Sequence, residues 1–225
     1  MNKRTVQLLM PALMLVPVTS FHAGGWAAIT VDDLPDHVVA GEAVALSYVV
    51  RQHGVTRIGG LDGAITARAG DREAKGSVRA GREEGTYVAS LTLPQPGDWT
   101  ITIHSGFGPS RVTLLPIQAV ARGARALPAL AERERGRRLF VAKGCVTCHV
   151  HREANTASVV AAGPELTRAR YPADYLARFL ADPTIPTAAS SPRPGKDRMP
   201  DLELEPREIA SIVAFINGTT QVSTR

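Results

Sequence analysis

The two cysteines of this chain are the residues best placed to do chemistry. They are the only two in the sequence, and a histidine follows the second one, as Cys145-Val146-Thr147-Cys148-His149. The spacing C-x-x-C-H is the attachment sequence of c-type haem, in which the two thiols add to the vinyl groups of the porphyrin. The imidazole of the histidine then binds the iron. The motif therefore predicts one covalent haem on Cys145 and Cys148, with His149 as an axial ligand.

A redox disulfide and a zinc site also use the C-x-x-C spacing. Redox pairs of this kind lie in a βαβ unit, and no strand-rich run precedes Cys145. A structural zinc site needs four ligands. Here Cys145, Cys148, His149 and His151 would all have to come from one short segment, because the chain has no second cysteine pair. The spacing therefore favours haem over both alternatives.

A second axial ligand is needed on the other side of the iron. The chain has four methionines, and Met199 is the one that lies beyond the first 23 residues. A thioether opposite a histidine is the usual arrangement in cytochromes c, and it raises the reduction potential. Met199 stands in a polar, proline-rich stretch and is followed by Pro200, which argues against a role as a core filler. We expect Met199 as the second ligand; His151 and an empty or water-filled position are the alternatives.

A helix is predicted before the haem motif and two more are predicted after it. The first runs from about Pro128 to Lys143, with Gly136 and Phe140 on one face and Gly144 as a natural end. The second runs from about Pro172 to Ala181 and is expected to bury Tyr175, Leu176, Phe179 and Leu180. The third begins at Pro206 and ends at Gly218. Its apolar residues have helical spacing: Ile209, Ile212, Val213 and Ile216.

With these features in this order, residues 129–220 resemble the class I cytochrome c family. The resemblance implies an all-α domain in which Gly136 and Phe140 let the first helix cross closely over the last. It also implies that the carbonyl group of Pro164 accepts a hydrogen bond from Nδ1–H of His149. Such a bond fixes the imidazole ring and raises its basicity.

The chain departs from the family at the haem propionates. Many members place a tryptophan against a propionate, but Trp26 and Trp99 both lie outside the resembling region. The residues that could take this role instead are Tyr171, Tyr175, Arg193 and Arg198.

Residues 1–23 read as a secretory signal peptide. A short basic start, Asn2-Lys3-Arg4, precedes a mostly apolar run from Val6 to Val18 and then small residues at 23–25. The apolar run is shorter than the roughly 20 residues of a membrane span. We therefore expect a mature protein that is soluble outside the cytoplasm, in the bacterial periplasm, where haem is attached to c-type apoproteins.

Residues 24–118 have a different pattern. Short alternating runs, such as 44–50, 87–93 and 99–103, are separated by glycine-rich and proline-rich turns. This pattern predicts an all-β sandwich. The stretch 85–99 resembles immunoglobulin-like periplasmic domains of the YtkA-like sort. Residues 119–128 are then expected to be a linker, and 221–225 a tail.

Three histidines of this β-rich segment, His37, His53 and His104, raise a copper site as an alternative function. Imidazole is a suitable copper ligand. The segment contains no methionine and no cysteine, however, so it lacks the soft ligands that favour Cu(I).

The formal net charge of +5 does not indicate a nucleic-acid-binding protein. Charges balance over residues 24–128, and the excess of basic residues lies in the leader and in residues 129–225. No basic and aromatic motif accompanies it. Basic residues near the haem edge could attract an acidic redox partner. The candidates for this ring are Lys143, Arg193, Lys196 and Arg198.

The sequence thus predicts a multidomain protein: an N-terminal all-β immunoglobulin-like sandwich followed by a C-terminal all-α class I cytochrome c fold. We expect a single-haem electron carrier rather than an enzyme, since a His/Met iron has no open position for a substrate. Its partners would be redox proteins, such as a membrane respiratory or oxidoreductase complex, and the sandwich would dock the carrier. A haem enzyme or sensor with a labile sixth ligand, and a copper-handling accessory protein, are the alternatives.

Overall fold

The computed structural model describes residues 25–125, 127–155, 160, 162–186 and 199–218. The predicted signal peptide (1–23) and tail (221–225) lie outside these residues. So do three of the basic side chains expected near the haem edge: Arg193, Lys196 and Arg198.

Two sheets make up the β-rich region, residues 27–120. The first contains Ala27–Val31 (β1), Ala43–Gln52 (β3), Thr56–Arg57 (β4), Ser77–Ala80 (β7) and Thr86–Thr92 (β8). The second contains His37–Val39 (β2), Ala64–Ala69 (β5), Arg72–Lys75 (β6), Gly97–His104 (β9), Arg111–Thr113 (β10) and Ile117–Val120 (β11). Their strand orders are β1-β3-β8-β7, with β4 beside β3, and β2-β11-β9-β5-β6, with β10 beside β9.

The burial of side chains alternates along the central strands of both sheets. On β8 the inward residues are Tyr87, Ala89 and Leu91, and on β9 they are Trp99, Ile101 and Ile103. Alternation of this kind indicates that one face of each sheet is buried. The inward residues of both sheets belong to one apolar core, which is the layered arrangement of a β-sandwich. Strand β11 continues to residue 120, two residues into the segment predicted as a linker.

The helical region contains three α-helices, Glu132–Ala142 (α1), Ala173–Ala181 (α2) and Pro206–Ile216 (α3), and a 3-10 helix at Cys145–Thr147. Helix α1 begins four residues later than predicted. The residues before it lie against the β-rich region, where the Leu130 N–H group donates to the Asp36 carboxylate. Along α2, Leu176 and Leu180 are buried, whereas the predicted core residues Tyr175 and Phe179 are half-buried and stack on each other.

Helix α3 starts with a capping box. The Glu208 carboxylate accepts a hydrogen bond from the Glu205 N–H group at 3.0 Å, and Pro206 occupies the first turn. Within the described residues, no helix has the length and apolar character needed to cross a bilayer.

Helix α1 contributes to two cores. Its residues Leu139 and Phe140 pack in the helical region, whereas Val141 and Ala142 belong to the core of the β-sandwich. All five residues of β1 are buried, and α1 contacts this strand. The two regions therefore share packed apolar surface and are not simply joined by a flexible connection.

Candidate functional site: the C-x-x-C-H segment

A tight turn at the end of α1 places the two cysteines. Gly144 has φ +79°, a left-handed conformation that ends the helix, and the 3-10 turn Cys145–Thr147 follows at once. A Cβ atom at Gly144 would lie 2.8 Å from the carbonyl oxygen of Ile29 in β1, so the turn also needs glycine for its close approach to the sandwich. The His149 N–H group donates to the Cys145 carbonyl at 2.9 Å and closes the motif into one compact loop.

Both cysteines are free thiols, Cys145 buried and Cys148 half-buried. Burial raises the pKa of Cys145 to about 12 and also raises the pKa of Cys148. Reactive redox cysteines have a lowered pKa, because the thiolate is the nucleophile. The environment of this pair is therefore unlike that of a redox-active C-x-x-C site.

His149 is the potential metal ligand whose ring is best fixed. Its Nδ1 atom lies 2.9 Å from the carbonyl oxygen of Pro164, and Nδ1–H donates in the tautomer that suits this contact. Burial lowers the pKa of His149, and the bond to Pro164 opposes this shift. A neutral ring with Nδ1 engaged in this way leaves Nε2 as the nitrogen available to a metal.

Gly163 lies directly against the imidazole ring. A Cβ atom at this position would be 2.3 Å from Cε1 and 2.5 Å from Nδ1 of His149, which no side chain allows. The Gly163 N–H group donates to the Cys148 carbonyl at 3.1 Å, and Leu166 N–H donates to the Val150 carbonyl at 2.8 Å. Sequence reasoning assigned a role to Pro164 and missed Gly163, although the glycine was visible directly before that proline.

Asn155 is a second residue that sequence reasoning missed. Its Nδ2 group donates to the His149 carbonyl at 3.0 Å, and its Oδ1 atom accepts from the His151 N–H group at 2.9 Å. These two bonds fix the backbone on which the His149 ring stands. An asparagine six residues after the histidine gives no pattern from which this role could be predicted.

His151 is a core residue. Its ring lies 4.1 Å from the ring of Phe215 and 6.0 Å from that of Phe140, measured between centroids. Burial lowers its pKa. In the described part of the chain, no three histidine, cysteine or acidic side chains are grouped to hold a metal ion. The arrangement thus gives no support to the zinc alternative or to His151 as an axial ligand.

Met199 is half-buried and borders the apolar cluster of the helical region. The same cluster includes Cys145 and several buried leucines, among them Leu166, Leu176, Leu180 and Leu202. A thiol, a thioether and aliphatic side chains therefore belong to one apolar cluster. Such surroundings suit the largely apolar porphyrin, and the donor set of two thiols, an imidazole and a thioether suits haem iron.

The helices α1 and α3 cross next to this segment. A Cβ atom at Gly136 would be 1.8 Å from the Ser211 carbonyl oxygen, so the two backbones are in direct contact. The rings of Phe140 and Phe215 pack edge to face, 5.5 Å apart.

The prediction that Lys143 belongs to a basic ring at the haem edge is wrong. Lys143 is buried, its Nζ atom lies 2.6 Å from Glu208 Oε1, and it donates to the Asp32 carbonyl at 2.8 Å. The prediction failed because the sandwich covers this end of α1, and nothing in the sequence indicates that the two regions pack on each other. Of the candidate propionate partners, Tyr171 is half-buried and has its backbone bonded to the Asn217 side chain. Tyr175 stacks on Phe179.

The three histidines considered for copper lie at separate places. His37 pairs with Gln118, which is opposite Asp98 at the start of β9, whereas His104 ends the same strand. From Asp98 to His104 there are six residues, so His104 lies about 20 Å along β9 from the position of His37. His53 lies in the turn after β3, in the other sheet. The structure does not bring these side chains together.

Comparisons with known proteins agree with this site. The family model for cytochrome c matches residues 133–220. No curated protein matches the chain in sequence. Among solved structures, domains 1–6 of the surface layer protein SbsC share 25% identity over 44% of this chain, with a TM-score of 0.34. The chain spans 13% of that structure.

Two further structures are similar at the same low level. The Lin-41 filamin domain has 13% identity, covers 44% of this chain and 93% of its own length, and has a TM-score of 0.32. The ZirS C-terminal domain has 10% identity, coverages of 54% and 87%, and a TM-score of 0.31. Similarity this low assigns no function to any part of the chain. The family match, together with the C-x-x-C-H segment that it spans, gives the clear result: residues 133–220 form a cytochrome c domain, a haem-based electron carrier whose cofactor is a covalently attached haem c.

Proposed function

We propose that this chain is a single-haem cytochrome c of the bacterial periplasm that carries one electron at a time between redox proteins. Haem c supplies the one-electron Fe(III)/Fe(II) couple. Cys145 and Cys148 would hold it through thioether bonds, and His149 and Met199 would bind its iron. Pro164 orients His149, and the predicted signal peptide, residues 1–23, directs the chain to the compartment where haem is attached.

The contact between His149 and Pro164 is the observation that carries this proposal. An imidazole whose Nδ1 atom is 2.9 Å from a carbonyl oxygen, and whose face lies on Gly163, has one orientation and one free nitrogen. An electron carrier benefits from this rigidity, because a ligand that does not move between redox states keeps the reorganisation small. A thioether as the second ligand would raise the reduction potential and fill the last position on the iron.

The β-sandwich serves in this proposal as a module that docks and positions the carrier, for example beside a membrane respiratory or oxidoreductase complex. We assign it to the immunoglobulin-like, YtkA-like class on the pattern of residues 85–99. The packing of Val141 and Ala142 into its core supports a fixed geometry between the sandwich and the haem domain. A fixed geometry lets contacts made by the sandwich define the position of the haem relative to a partner.

The proposal is tested on the full chain, produced with its leader in a bacterial host that matures c-type cytochromes. We expect one covalent haem per chain and, in the oxidised protein, the weak long-wavelength absorbance band of a Met–Fe(III) bond. Met199→Ala should keep the covalent haem, lose this band, lower the reduction potential and allow carbon monoxide to bind the reduced protein. Met1, Met10 and Met14 lie in the predicted signal peptide, so Met199 is the methionine of this sequence that we expect to be retained after cleavage.

A wild-type protein without this band, which binds carbon monoxide when reduced, would contradict the carrier proposal and favour a haem enzyme or sensor with a labile sixth ligand. Stoichiometric copper binding that is lost when His37, His53 and His104 are changed to alanine would favour the copper-handling alternative.

A further inference from the structure

The segment that follows Met199 has an unusual backbone. Glu203 has φ +57°, although it is not a glycine. Its N–H group donates to the Asp201 Oδ1 atom at 2.8 Å, which closes a tight turn directly after Pro200. A left-handed conformation at a residue with a side chain is costly, and it persists where the surroundings fix it.

The surroundings that fix Glu203 come from the β-sandwich. Arg57 donates through Nη2 to both carboxylate oxygens of Glu203, at 2.9 and 2.8 Å, and Nη1 of the same guanidinium donates to Glu83 at 2.7 Å. Arg51 Nη2 lies 3.0 Å from Glu203 Oε1, close enough for an ion pair although not aligned for a hydrogen bond. Two arginines of the first sheet thus hold one carboxylate of the cytochrome domain.

The contact between Arg51 and Glu203 differs from a surface ion pair, because the arginine is buried. Its side chain is 3% exposed, whereas that of Glu203 is 56% exposed. A buried guanidinium is expensive unless a carboxylate compensates its charge. Glu203 is the acidic side chain that lies within ion-pair distance of Arg51 among the described residues. The sandwich therefore favours the position of Glu203 seen in the structure.

A second contact reaches the residue directly after the methionine. A Cβ atom at Gly54 would be 3.0 Å from Pro200 Cγ and 3.5 Å from the ring of Trp26, so the turn after β3 packs closely on Pro200. In this turn His53 has φ +51°. His53 and Glu203 are the two non-glycine residues with positive φ in the described part of the chain, and both lie at this contact.

We propose that the β-sandwich positions the axial methionine: Arg51, Arg57 and Gly54 fix the segment 200–203 and thereby keep Met199 in place to bind the iron. This inference rests on the proposed role of Met199. It gives the sandwich a function inside the protein, in addition to docking. Arg51, Arg57 and Glu203 are positioning residues, since they act through the backbone that carries Met199.

The experiment measures how readily the methionine leaves the iron in the full-length, oxidised holoprotein. Imidazole is added, and the rate at which the Met–Fe(III) band disappears is recorded.

Glu203→Gln keeps the size of the side chain but removes the charge that both arginines hold. Arg57→Gln removes one of the two positive charges that hold Glu203. Each should accelerate imidazole binding about fivefold, which corresponds to the loss of a modest ion-pair network. Arg57→Lys, which keeps the charge but not the planar group that joins Glu203 to Glu83, should lie between Arg57→Gln and the wild type.

The matched control is Arg68→Gln. Arg68 forms an exposed ion pair with Glu73 at 3.2 Å in the second sheet, so its loss changes the charge of the sandwich without touching the segment 200–203. Its rate should equal that of the wild type. Amide hydrogen exchange at Asp201 and Leu202 should accelerate in Glu203→Gln and Arg57→Gln and remain unchanged in the control.

The outcomes separate the two proposals. A wild-type protein that has no Met–Fe(III) band overturns Met199 as a ligand, and this inference with it. A wild-type protein with the band, whose imidazole rate is unchanged by Glu203→Gln and Arg57→Gln, overturns only the positioning role of the sandwich. Equal acceleration by Arg68→Gln also overturns it, because the effect would then come from net charge.

Discussion

Gly136 of α1 touches the backbone of Ser211 in α3: a Cβ atom on Gly136 would be 1.8 Å from the Ser211 carbonyl oxygen. Gly136→Ala should therefore force the helices apart. We expect the free energy of unfolding of the holoprotein to fall by about 2 kcal/mol, in spite of the better helix propensity of alanine. Denaturation in guanidinium chloride measures this change.

The nearest obstacle at position 136 is the backbone of Ser211 and not its side chain, which supplies a control. Ser211→Gly removes the Ser211 side chain but leaves its carbonyl group in place, so it should not rescue Gly136→Ala. A Gly136→Ala protein with wild-type stability would show that α1 and α3 can separate at little cost.

Gly163→Ala should disturb the His149 ring, because the added methyl group would lie 2.3 Å from Cε1. The ring must rotate or the loop must withdraw, and either change weakens the contact with Pro164. We expect the affinity of the His149 imidazole for the iron to fall about tenfold, as is typical when a partner of a metal ligand is lost. The measurement is the fraction of ferrous protein in which the His149 side chain stays bound to the iron as the pH is lowered.

Pro164→Ala is the matched variant for this position. The acceptor is the carbonyl oxygen of residue 164, which alanine also supplies, so the hydrogen bond to Nδ1 should survive. A loss of ligation in Pro164→Ala as large as in Gly163→Ala would mean that loop rigidity matters more than the close approach of Gly163 to the ring.

Much of the cytochrome region could be predicted because its signals are local. The spacing of Cys145, Cys148 and His149, the glycine and proline signals at helix ends, and the stripe on α3 all depend on residues near one another in sequence. Gly163 and Asn155 were missed for the opposite reason. Their roles depend on contacts with the His149 ring and carbonyl group, which arise only when the chain folds around the motif.

The relation between the two regions could not be predicted at all. Val141, Ala142 and Lys143 were interpreted as the end of a cytochrome helix, since nothing in their spacing indicates a second partner. In the structure they pack on the sandwich, and the carboxylate that pairs with Lys143 lies 65 positions further along the chain. Sequence periodicity indicates that a face is apolar, but not which surface covers it.

The ion pair between Lys143 and Glu208 should be strongly coupled, because the side chains are 4% and 15% exposed and their charged atoms are 2.6 Å apart. Lys143→Met should lower the free energy of unfolding by about 3 kcal/mol, since it leaves the half-buried Glu208 carboxylate without its cation. The double variant Lys143→Met/Glu208→Gln should regain part of this loss. A double-mutant cycle of urea unfolding measures the coupling; additive effects of the two single changes would show that the pair contributes nothing beyond its separate contacts.

The stability of α1 should depend on pH through Glu134. Hydrogen bonds from Arg137, at 2.8 Å, and from Arg138 hold the pKa of Glu134 below its ordinary value of 4.5. A lowered pKa in the folded state means that the stabilisation is fully present above pH 4.5 and is lost as the pH falls through the folded-state value. With the carboxylate about one-third exposed (32%), solvent screens the pair, so Glu134→Gln should cost about 0.5 kcal/mol at neutral pH.

Thermal unfolding of both proteins across this range measures the difference. It should vanish on acidification and shrink in high salt. Glu132→Gln, which removes a charge from the same turn of α1 without an ion pair to these arginines, is the control for the loss of charge alone. An unchanged difference between wild type and Glu134→Gln in acid would assign the effect to packing rather than to charge.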